Sequence, residues 1–202
     1  MLNKVEDIII YKDEPFYSAF PSAVTLADGT VLVSFRRAPE PRWLLGTNAP
    51  ENLRNWISHV HERSHHAMLR LDGKTLKPLG PAVALPMNPL AADQDGSLLL
   101  TRRGRLIIAA FSWYGFQPVF VEQARAYSLP LHGGPEHDGL YYAFFGGFTR
   151  YTDDGGRTWS DHNYLPPLPG AGDFIPGKRP RYGGAIRGRA VEADGEILLP
   201  VY

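Results

Sequence analysis

Two carboxylates stand one residue apart at the head of a strongly apolar run, in Asp93-Gln94-Asp95-Gly96-Ser97 before Leu98-Leu99-Leu100. A carboxylate at a strand mouth is the kind of group that moves a proton in general acid/base chemistry. Asp-Gly sequences also build turns, which is the plainer use of the same residues. Asp95 lies closer to the strand and is the better acid/base candidate. Arg36 and Arg37 end another apolar run, Val31 to Phe35. A guanidinium fork matches a carboxylate, but alternation along a strand sends the two arginines to opposite faces. At most one of them is then a ligand arginine, and a solvated or salt-bridged rim arginine is the alternative. Arg187 and Arg189 flank Gly188 and share one face of an extended segment, where they form a basic clamp or an ordinary exposed strand face. Trp113-Tyr114-Gly115-Phe116 leaves the run Arg105 to Ser112 for a long loop and can offer a sugar-stacking platform. His59, His61, His65 and His66 form the densest polar cluster. His59 and His61 have a zinc-compatible spacing, but no third ligand is placed and no cysteine accompanies them, so no metal is assigned.

The elements that carry these residues are strands. The 202 residues include 21 glycines and 18 prolines, and no window keeps the helical spacing of apolar residues beside proper caps. One helical turn is expected near Pro50 to Ile57, capped by Asn48. Elsewhere short β-type runs are separated by turns. Asp28-Gly29, Arg103-Gly104 and Asp194-Gly195 each join two apolar runs, the Arg-Gly pair being the weakest hairpin signal of the three. A second turn type, Asp72-Gly73-Lys74-Thr75-Leu76 and Gly155-Gly156-Arg157-Thr158-Trp159, follows the first two hairpins. Alternating hairpins make four antiparallel strands per unit, repeated, which points to propeller blades in an all-β chain. A β-sandwich is the competing architecture.

Lysine plus arginine and aspartate plus glutamate both number 21, so no global field draws nucleic acid or an anionic membrane. The absence of cysteine excludes disulfides and thiol chemistry. No signal peptide is visible, and no apolar stretch approaches the ~20 residues of a membrane span. The compartment is unknown and cytoplasmic by default, and no cofactor is expected.

Thr152-Asp153-Asp154-Gly155-Gly156-Arg157-Thr158-Trp159 fits Ser/Thr-x-Asp-x-Gly-x-Thr-Trp at every fixed position. The chain thereby resembles the sialidase-like superfamily of Asp-box (BNR-repeat) β-propellers, in which Thr152, Asp154, Gly156, Thr158 and Trp159 are structural. Tyr17 to Ser22 and Phe35-Arg36-Arg37 are similar to the opening blade of that family. The resemblance implies a six-bladed propeller, of which residues 1–202 would form about two and a half four-stranded blades, a single domain truncated at its C-terminus. It implies a carbohydrate-active protein that is glycoside hydrolase-like, with a glycan or glycoconjugate at the channel mouth. Its alternative is a noncatalytic Asp-box module that binds glycan or protein. The family's first substrate arginine falls on Ala19. Members often carry His-x-Asp where this chain has His59-Val60-His61, so His61 stands in for an acid/base aspartate. The nucleophilic tyrosine and its glutamate partner would lie past residue 202. If the truncation is natural, half-propellers would associate in pairs.

Overall fold

A computed structural model describes residues 6–40, 42–46, 61–134, 140–167 and 183–201. The expected helical turn at Pro50 to Ile57 and His59 lie outside these residues.

The first sheet is a four-stranded antiparallel meander of β1 (Phe16–Thr25), β2 (Val31–Pro39), β3 (His65–Leu71) and β4 (Val83–Ala84). A short helix, α1 (Arg42–Leu45), leaves the end of β2. The second sheet is built on the long strands β7 (Leu106–Phe116) and β9 (Leu140–Thr152). On β7 pair β5 (Ala92–Asp93) and β6 (Ser97–Leu100), and on β9 pair β8 (His132–Gly134) and β10 (Asn163–Tyr164). Between β7 and β8 runs α2 (Val121–Ala126), a short helix that the sequence did not announce. A two-stranded ribbon, β11 (Val191–Ala193) and β12 (Glu196–Leu198), follows.

The turns explain these pairings. At Asp28-Gly29 and at Arg103-Gly104 only the glycine takes a positive φ, 84° and 86°, and each amide bonds back to Leu26 or Thr101 three residues earlier. Arginine before glycine is therefore no handicap, and the weaker signal makes the same turn. Asp194-Gly195 differs, with both residues at positive φ, as a two-residue hairpin turn requires. The outer turns rest on their aspartates. Asp72 accepts the Thr75 amide at 2.7 Å and hydroxyl at 2.8 Å. Asp154 Oδ1 accepts the Thr152 hydroxyl at 2.7 Å and the Arg157 amide at 2.8 Å, while Oδ2 accepts the Thr158 hydroxyl at 2.6 Å. These bonds draw the Asp154 carboxyl well below the usual carboxylate range. Trp159 then packs on the main core.

Strand alternation sorts the side chains into layers. Val24, Leu32 and Met68 of the first sheet meet Leu98, Leu106, Ile108 and Phe148 of the second in one buried cluster. The opposite face of the first sheet, with Val33, Phe35, Leu69 and Leu71, is covered by Ile10 and Tyr11. The opposite face of the second sheet carries Leu99 and Ile107, which pack on Ala190 and Leu199. The sheets thus stack in chain order. Polar links reinforce the stack: Leu98 N–H donates to Ser22 Oγ at 2.9 Å, and Arg70 donates to the Gly155 carbonyl. None of the sheets closes into a barrel or propeller. The all-β class holds; the expected six-bladed ring, with two and a half blades here, is a finer reading than these antiparallel sheets establish.

Candidate functional site

The end of β5 and the loop between β5 and β6 present Asp93, Gln94 and Asp95, all buried, at one end of the second sheet. Backbone bonds fix it from two sides. The Asp93 amide donates to Ser64 O at 3.0 Å, and the Gln94 amide donates to Phe111 O at 2.8 Å. A third anchor comes from β3, where His66 Nε2–H donates to the Gln94 carbonyl at 2.5 Å. Gly96 lets this ring approach, since a Cβ at that position would stand 2.7 Å from His66 Nε2. Burial pushes the His66 imidazole below its ordinary pKa, opposed by the Asp93 charge and the Gln94 bond.

Around this loop the structure gathers two of the candidate arginines. Arg187 Nε reaches Asp95 Oδ2 at 3.2 Å, with Arg187 half exposed and Asp95 nearly covered. Arg36 lies beneath, completely buried, its Nη1 donating to Gln94 Oε1 at 2.6 Å. Its guanidinium sits 5.0 Å from the centroid of Phe20, a residue at φ 56° in a bulge of β1. Desolvation lowers the pKa of Arg36, and the Asp95 charge opposes that shift. A sealed arginine cannot touch a ligand, so Arg36 holds Gln94 and faces Asp95 as a positioning residue. Arg37 points to the other face of β2, as alternation requires. It contacts His65 Nε2 at 3.2 Å, Tyr11 Oη at 3.3 Å and the Phe16 ring at 4.3 Å.

Arg189 is exposed and forms no ion pair with Asp95 among the described residues; Arg187 and Arg189 precede β11 rather than lying in a strand. The backbone amide of Arg63 donates to His61 Nδ1 at 3.0 Å, and burial lowers the His61 pKa. Nothing places His61 on Asp95. Ala19 pairs in register with Arg36. The half-buried Trp113 sits where a bulge after Ser112 shifts the β7–β9 register, a device that re-aims side chains. It meets His132, Tyr142 and Phe144 edge-on, with centroids 4.9, 5.1 and 5.5 Å away. Phe111 bridges Trp113 to the cluster, since Arg187 lies 5.8 Å over its ring.

Two partnerships were not readable from the sequence. His162 Nε2 meets both oxygens of buried Asp93, at 3.1 and 3.0 Å. His66 and Gln94 join residues 28 apart in sequence, and no local pattern announces that contact. The cross-strand register Arg36–His66 is the signal that would have found it, had the start of β3 been placed. Among the described residues no three His, Cys, Asp or Glu side chains gather to hold a metal ion.

A crystal structure of a protein of unknown function from Dyadobacter fermentans DSM 18053 superposes on 96% of this chain with a TM-score of 0.77 at 23% identity. The two chains share a fold. A family 117 glycoside hydrolase from Zobellia galactanivorans aligns over 93% of the chain with a TM-score of 0.49 at 11% identity. This chain spans about half the length of each, 49% and 48%. No family model and no curated protein matches it. No helix among the described residues is long and apolar enough to cross a membrane.

Proposed function

We propose that this chain belongs to a sialidase-related, carbohydrate-active protein of the propeller type, which seats a glycan at the end of the second sheet. The observation that carries the reading is the Asp95 carboxylate, held by exposed Arg187, faced by buried Arg36 and flanked by the Phe111–Trp113 aromatic edge. Sugars are recognised by such a pairing of charged hydrogen-bonding groups with a ring face. Arg187 can release Asp95 to bond a sugar hydroxyl or carboxylate, while Arg36 and Gln94 keep the loop in place. In a glycoside hydrolase Asp95 would serve as the acid/base carboxylate.

A noncatalytic glycan-binding module is the second reading. It is favoured by Ala19 opposite Arg36, where the sialidase resemblance calls for an arginine, and by His61 making no hydrogen bond or ion pair with Asp95 among the described residues.

A panel of aryl glycosides and a glycan array, run on the full-length protein with Asp95→Asn and Arg187→Ala, tests both. Cleavage that Asp95→Asn abolishes with binding retained supports the hydrolase. Binding without cleavage, lost in Arg187→Ala, supports the module. A protein that neither cleaves nor binds any glycan overturns the proposal.

A further inference from the structure

Beyond the glycan reading stands a second concavity. The end of β7 and α2 enclose a groove of about 680 Å³, a size typical of small-molecule sites. Its walls include Tyr114, Phe116, Phe120 and Tyr127, with Leu129 between them and Glu62 at one side. Tyr114, Phe120 and Tyr127 are 42%, 54% and 69% exposed, more aromatic surface than a folded chain leaves in one place without use.

The charge of the lining is one-sided. Among the described residues Glu62 is the only ionisable group of the lining apart from the tyrosines, and it makes no ion pair there. The basic residue of α2, Arg125, is turned away: it pairs with Glu122 at 3.0 Å and lies 5.5 Å over the Tyr141 ring. His61 beside Glu62 is drawn toward its neutral form by burial and so does little to screen the carboxylate. Gly115 lies directly beside Glu62, where a methyl would stand in ordinary contact with Glu62 Cβ at 3.4 Å and Oε2 at 4.0 Å.

Arg63 follows Glu62 in the chain but is not among the described lining residues and makes no ion pair with it. Aromatic faces attract cations, and an unpaired carboxylate in the same wall attracts them further. We propose that this groove binds an organic ammonium ion, a quaternary or primary amine with apolar substituents, separately from the glycan site. The rings take the apolar body and share the positive charge with Glu62.

Choline and its uncharged isostere 3,3-dimethyl-1-butanol provide the test, titrated calorimetrically into the full-length protein. Choline is expected to bind about tenfold tighter than the alcohol, a ratio that collapses toward one in Glu62→Gln. Tyr114→Leu keeps the apolar area and is expected to weaken choline several-fold while sparing the alcohol. Equal affinity for both probes would mark a merely apolar groove and overturn the proposal. So would saturable binding of neither, or sedimentation showing that a second copy of the chain covers the groove. Glu62 is exposed, and circular dichroism of the variants separates lost binding from lost folding. The glycan array reads the Asp95 site independently, so either proposal can fail alone.

Discussion

Acidification should loosen the Asp95 loop through a single imidazole. His66 is 1% exposed, donates its Nε2 proton to the Gln94 carbonyl, and has no hydrogen-bond partner on Nδ1 among the described residues. A second proton would therefore create a buried cation with an unanswered N–H, and burial accordingly holds the folded pKa below 6.5. In the unfolded chain the imidazole titrates at its ordinary value. As pH falls below that value the unfolded state binds the proton first, so stability drops by up to ~1.4 kcal/mol per pH unit for this one group. The loss begins near 6.5 and continues until the depressed folded pKa is reached. Carboxylates contribute little in that window. Urea unfolding followed by tryptophan fluorescence, with Trp159 on the core as reporter, measures it. His66→Gln keeps a donor for Gln94 but cannot titrate. Its free energy of unfolding should start lower at neutral pH and decline less steeply than the parent's as the pH falls below 6.5. Parallel declines in the two proteins would refute the reasoning, because the remaining histidines are common to both.

Other outcomes follow from the packing. Phe148→Ala empties a fully buried position between the two large sheets and should cost about 3–5 kcal/mol, read as a lowered urea midpoint. Gly147→Ala would bring a methyl to 2.2 Å from the Gly184 carbonyl, so the segment at 183–186 must move; its amides should exchange hydrogen faster while those of β1 and β2 stay protected. The Asp154 carboxyl is depressed first by the Thr152 hydroxyl and then by Thr158, so its contribution is whole above 3.8 and is lost as pH falls toward its folded value. Asp154→Asn should accordingly lower the melting temperature at neutral pH, with the gap to the parent narrowing in acid.

The strands were legible because their turns are. Asp28-Gly29, Asp194-Gly195 and the Thr152 to Trp159 stretch carry their geometry in adjacent residues, and each structure-forming bond spans four residues or fewer. The six-residue α2 was not, since one turn and a half leaves no periodic pattern to detect. Within the candidate site, residue type alone pointed to Asp95, Arg36 and Arg187, three side chains that the fold does bring together. What sequence could not supply was their division of labour. That Arg36 is sealed under Phe20 while Arg187 remains open depends on a bulge in β1 and on a segment roughly 90 residues away from Asp95. A separation of 69 residues likewise hides the pairing of Asp93 with His162.

The links between sheets run in one direction along the chain. Leu98 reaches back to Ser22, the turn at Gly155 is caught by Arg70, and Ser97 waits for the carbonyl of Gly188. Each sheet is therefore completed on a platform that already exists when its own residues emerge from the ribosome. Synthesis from the N-terminus can lay the layers down one upon another, and no early layer has to stay open for a late strand to thread between its neighbours.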